Sequence, residues 1–78
     1  MDNALLQEAA RHVLGFHNLE GGWTPGGFTH GLIALWGKAD PSNRRRLAGA
    51  FPELGHVIAT FENGHIEHIR RIARGDYL

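Results

Sequence analysis

Apolar side chains recur along this chain at intervals of three and four residues from Leu5 to Ile72, and that spacing is the pitch of an α-helix. In the first stripe, Leu5, Leu6, Ala9, Ala10, Val13 and Phe16 project to one side at about 100° per residue. Gln7, Glu8, Arg11 and Asn18 project to the other. Asp2 or Asn3 can cap this helix, which runs to about His17. A second stripe follows in Phe28, Leu32, Leu35, Trp36 and Ala39. Thr24 and Pro25 can be its N-cap and first-turn proline; alternatively Pro25-Gly26 makes a tight turn and the helix starts near Phe28. Asp40-Pro41 ends it and caps a third helix, Pro41 to about Ala50, with Leu47, Ala50 and Phe51 inward and Ser42, Arg45, Arg46 and Gly49 outward. Phe51-Pro52 breaks that helix and opens a fourth.

From Pro52 onward two folds compete, because Asn63-Gly64 is a strong hairpin signal between the β-branched run VIATF and the segment HIEHI. A hairpin about that turn opposes Phe61 to Ile66 but also Val57 to Arg70 and Ala59 to His68, so neither face is cleanly apolar. The helical projection separates better. Leu54, Val57, Ile58, Phe61, His65, His68, Ile69 and Ile72 share one side, in a phase that runs unbroken through Gly64. His56, Thr60, Asn63, Glu67, Arg70, Arg71 and Arg74 share the other. The segment 52–74 is therefore one helix carrying Gly64 at about 1 kcal/mol, or two helices meeting at a kink. The expected fold is all-α, a bundle of four to five short helices forming one domain over residues 1–78.

At 78 residues the chain buries only about 60% of the surface its unfolded form exposes, which leaves little material for a deep pocket. No apolar run approaches the roughly 18 residues of a spanning helix. The start, MDNALLQEAARH, carries acidic and polar residues where a signal peptide has basic ones, so a cytoplasmic protein without membrane contact is expected. There is no cysteine, which removes disulfides, thiol catalysis and cysteine-based zinc sites together. Eight Lys and Arg balance eight Asp and Glu, so any basic surface must come from local clustering. Six histidines make the net charge sensitive to pH near 6.

The GGWTPGG stretch, Gly21 to Gly27, lacks the strand before it and the basic or hydroxyl residue after it that a phosphate grip needs. It reads as a connector in which Trp23 packs across the junction of the first two helices, or as an exposed aromatic anchor for a partner. Arg44, Arg45 and Arg46 fan widely around a helix, with Arg44 along the border of the core; they read as a solvated face or as phosphate contacts. His65 and His68 lie one turn apart with Glu62 a further turn back, but a zinc site needs further converging ligands, so no metal is expected. No nucleophile and base stand at a recognisable spacing, and no enzyme or cofactor is expected.

The segment GGWTPGGFTHGLIALWGKADPSNRRRLAGAFPE, within roughly residues 15 to 58, resembles small proteins of actinobacterial phages and prophages. They share the GGWTPGGFT connector, an Ala-Asp before the third helix and the NR-x-RLA-x-AFPE stretch. That resemblance implies a compact phage-type protein in a bacterial host cytoplasm and names no enzyme class. Leu47-Ala48, Phe51, Ile58 and Phe61-Glu62-Asn63-Gly64 also resemble the register of repressor-type helix-turn-helix domains, which would make residues 53–62 a groove-reading helix. Here Pro52 stands at the turn glycine, and ELGHVIATFE offers no Arg, Lys, Asn or Gln to base edges.

The leading expectation is an interaction protein that binds a bacterial host protein or itself through Trp23, Phe28, His65, His68, Ile69 and Ile72. Self-association through the last helix would weaken as its histidines gain charge below pH 7. The alternative is a DNA-binding regulator using Arg44, Arg45 and Arg46 on phosphates.

Overall fold

The computed structural model describes residues 1–76, and five helices occupy most of them: α1 (Asn3–Phe16), α2 (Gly27–Lys38), α3 (Pro41–Ala50), α4 (Pro52–Glu62) and α5 (Ile66–Ala73). The described residues contain no strand, so the all-α expectation holds and the hairpin about Asn63-Gly64 is not formed. None of the helices among them is long and apolar enough to cross a membrane.

The helix starts follow the polar punctuation. Asp2 accepts a hydrogen bond from the Leu5 N–H at 3.0 Å, and Asp40 accepts one from the Asn43 N–H at 2.8 Å, each satisfying an otherwise orphaned donor. Pro41 and Pro52 occupy first-turn positions, where a missing N–H costs nothing. For α2 the later start is the one adopted: the helix begins at Gly27, next to Phe28, with Gly26 and not Thr24 as its N-cap.

Three helices end in the same way. After α1 the chain turns left-handed at Asn18 (φ 57°), with the Leu19 N–H donating to the Leu14 carbonyl at 2.9 Å and the Asn18 N–H to that of Gly15 at 3.0 Å. After α4 Gly64 (φ 83°) repeats the pattern, His65 donating to Thr60 at 3.1 Å and Gly64 to Phe61 at 2.9 Å. After α5 Gly75 (φ 87°) does so again, with Asp76 donating to Arg71 and Gly75 to Ile72. Each is a Schellman ending, which returns partners to carbonyls the helix leaves unpaired. The Asn63-Gly64 pair is thus a helix terminator, and 52–74 is two helices.

Packing centres on α1, which lies mainly against α5 and α4, while α2 leans on α1 and α3 on α4. Gln7 Nε2 and Arg11 Nε both donate to the Ala73 carbonyl, at 3.0 and 3.1 Å, tying α1 to the last turn of α5. At its other end α1 is followed by His17, whose ring stacks on Phe61 of α4 with centroids 4.1 Å apart. Val13, Leu14, Val57 and Ile69 are the largest fully buried side chains, each worth about 1.5–3 kcal/mol for leaving water.

The core differs from the projected stripes in three places. Leu14, outside the predicted α1 stripe, is completely buried, whereas Leu5 is half exposed; a central helix is covered over a wider arc than a surface one. On α2 the buried pair is Ile33 and Trp36, leaving Phe28 and Leu35 outside. Ala50, expected inward on α3, is exposed, and α3 has no fully buried residue.

Candidate functional site

The GGWTPGG connector is held by backbone contacts rather than by its side chains. Gly21 takes a left-handed φ of 90°, and Gly22 then lies directly on α1. A Cβ at Gly22 would stand 2.2 Å from the Gly15 nitrogen, and one at Gly15 would stand 1.7 Å from the Trp23 carbonyl oxygen. The Trp23 N–H donates to the Arg11 carbonyl at 2.9 Å. Only two facing glycines allow main chain to meet main chain this closely.

Trp23 is 52% exposed. Its indole does not bridge the α1–α2 junction; it lies over α1, with the Arg11 guanidinium carbon 4.1 Å from the ring centroid and the His12 ring edge-on at 6.5 Å. Arg70 and Ala73 of α5 and its C-cap Arg74 line the same shallow cleft. The indole buried in the core is Trp36.

Phe28 is the most exposed large apolar residue of the chain among those described, at 72%, and Leu35 and Leu5 are half exposed. On α2, Phe28, Leu32 and Leu35 fall on one line, about 100° around the helix from the Ile33–Trp36 side that meets the core, and Ala39 follows at its C-cap. The helix is therefore apolar over two adjacent arcs, and only one is covered. Two shallow depressions lie along the uncovered arc. At its N-terminal end Phe28 and Leu32 border Leu5 and Ala9 of α1 together with Phe51, whose ring is 6.2 Å from that of Phe28. At its C-terminal end Leu35 and Ala39 border Leu47 on α3. Glu8, His12 and Glu53 edge the first depression, and Lys38, Asp40 and Arg46 the second.

The expected site on the last helix is not assembled. Ile69 and Ile72 are 0% and 2% exposed and belong to the core, so they cannot meet a partner, while His65 and His68 point to solvent. Gly64 is the reason. Its left-handed turn ends α4 and restarts the helix one residue out of phase, so Ile66, Ile69, Ile72 and Ala73 face inward where the unbroken projection put His65 and His68. Among the described residues no group of three His, Asp or Glu side chains is placed to hold a metal ion.

The three arginines separate as well. Arg44 reaches from α3 to α4, where Nη1 and Nη2 donate to the two carboxylate oxygens of Glu62 at 2.8 and 3.0 Å. That hydrogen-bonded pairing raises the Arg44 pKa above its ordinary value and keeps its charge committed to Glu62. Arg46 donates to Asn43 at 3.2 Å, and Arg45 is exposed. Glu67 pairs with Arg70 within α5, as their spacing predicts.

Of the predicted site residues, then, Trp23 and Phe28 are the exposed apolar ones, and His12, not among those predicted, lies beside both the indole and the Phe28 depression. Leu5 and Leu35 were missed. The signal for Leu35 was in the sequence of α2, GFTHGLIALWGK, whose apolar residues outnumber what one buried arc can hold. No protein-family model, curated protein or solved structure matches this chain.

Proposed function

We propose that this chain is a small, non-enzymatic helical protein that acts by binding a protein partner through the uncovered face of α2. The observation that carries this reading is Phe28, 72% exposed at one end of an apolar surface that continues through Leu5 and Leu32 to Leu35. An aromatic anchor ringed by smaller apolar groups is the composition of an interface hot spot. Exposed large apolar side chains gathered on one face, rather than scattered, mark contact surfaces in otherwise polar exteriors. The lining is largely hydrocarbon, which suits contact better than bond-making. The resemblance of residues 15–58 to phage proteins supports a phage-type role in a bacterial host cytoplasm, with a host protein or a second copy as the partner. Trp23, joined to this face through His12, extends it.

Affinity capture with crosslinking from a bacterial lysate, using wild type and Phe28→Ser, tests the reading. Capture should fall at least tenfold in the variant while its helical circular dichroism is unchanged; equal capture overturns the assignment of this face. A gel shift with random duplex DNA, titrated with salt, tests the regulator alternative, which requires salt-sensitive binding that Arg45→Ala weakens.

A further inference from the structure

We infer that the occupant of the α2 face is a second copy of this chain, docked antiparallel across a twofold axis. The inference rests on the reading that this face binds protein, and it is carried by the charges at the two ends of the face. The Phe28 end is edged by Glu8 and Glu53. The Leu35 end is edged by Lys38 and Arg46 together with Asp40, the cap of α3, and keeps a net positive charge. The surface therefore runs from acidic to basic along its own length, with hydrocarbon between.

A twofold interface brings the same patch from both molecules together, so that residue i of one meets residue j of the other and the reverse. Antiparallel docking sets the Glu8 end of each copy against the Lys38 end of its partner, twice. Parallel docking sets acid on acid and base on base. The patch thus complements itself in one orientation only, and in that orientation Phe28 of one copy approaches Leu35 of the other.

The dimensions fit a modest interface. A helix of this length is about 18 Å long and, with side chains, about 10 Å across. Standard interfaces cover about 800 Å² per partner, roughly a sixth of this chain's 4786 Å². The α2 face supplies less than that alone, which places the dimer at the weak, concentration-dependent end.

The test is sedimentation equilibrium over a wide concentration range, in low and high salt, on wild type, Glu8→Lys, Lys38→Glu and an equimolar mixture of the two variants. Both positions are exposed, so the fold should survive, and circular dichroism verifies it. Wild type should dimerise more weakly as salt rises. Each variant, in which residues 8 and 38 now carry the same sign, should dimerise about tenfold more weakly, and the mixture should recover association as a heterodimer, because each reversed residue meets its opposite. A wild type that stays monomeric to about 1 mM, or variants that associate as wild type does, overturns the inference. If wild type is monomeric and Phe28→Ser still loses a captured protein, the face binds a different protein and only the twofold arrangement fails. If Phe28→Ser changes neither measurement, both readings fall.

Discussion

Replacing Gly15 by alanine should be among the most damaging single-methyl changes in this protein, although the position is helical and alanine is the better helix former. The added Cβ would lie 1.7 Å from the Trp23 carbonyl oxygen and 2.3 Å from its carbonyl carbon, both main-chain atoms that cannot rotate aside. The connector must lift off α1. Lifting it breaks the Trp23 N–H bond to the Arg11 carbonyl, worth about 1 kcal/mol. It also separates Trp23 from the Arg11 guanidinium, worth about 0.5–1 kcal/mol. The residual overpacking adds about 1–3 kcal/mol, and alanine's helix preference returns only about 1 kcal/mol. The net loss is about 1.5–4 kcal/mol, which in a domain of this size lowers the melting temperature by roughly 6–32 °C. Thermal and urea unfolding followed by far-ultraviolet circular dichroism measures it. Gly49→Ala is the control, since nothing lies within 4 Å of the methyl it would add on α3. It should be neutral or stabilising by up to about 1 kcal/mol. A Gly15→Ala protein that melts at or above the wild-type temperature would refute the main-chain contact.

Other outcomes follow from the same geometry. Ile69→Ala should cost about 2–4 kcal/mol in urea unfolding while His68→Ala stays within about 0.5 kcal/mol, because the first empties a fully buried site and the second trims an exposed one. Gly64→Ala should destabilise by about 1–2 kcal/mol through its left-handed φ, whereas Asn18→Gly should be neutral or slightly stabilising; paired thermal melts distinguish them. Asp40→Ala should lose about 1 kcal/mol by removing the acceptor for the Asn43 N–H, read as an earlier urea midpoint with an unchanged slope.

Where polar and cyclic residues punctuate the chain, the sequence was legible: Asp40-Pro41 and Phe51-Pro52 bound α3 at the residues the pattern marks. Periodicity was weaker at choosing faces. On α2 apolar residues occupy two adjacent arcs, and spacing cannot say which arc meets the core; the answer lies in α1, whose position no local pattern encodes. Beyond Gly64 the projection put His65 and His68 on the inward side, where they are exposed, because it carried a helical phase through a residue that turns left-handed; Ile69 and Ile72, projected to that same side, are buried. The Asn63-Gly64 pair marked a break in the helix, but a helix ending and a hairpin use the same glycine for the same reason. The contact between Gly15 and the connector left no trace at all in the pattern, since two hydrogens in place of side chains carry no hydropathy.

The seating of the connector on α1 frees one position from structural duty. Since Gly15, Gly22 and the Trp23 amide fix the path of the loop, the indole itself is not what anchors it. Other side chains could be displayed at residue 23 from an unaltered perch, so the chemistry of this part of the surface can change at little expense to the architecture.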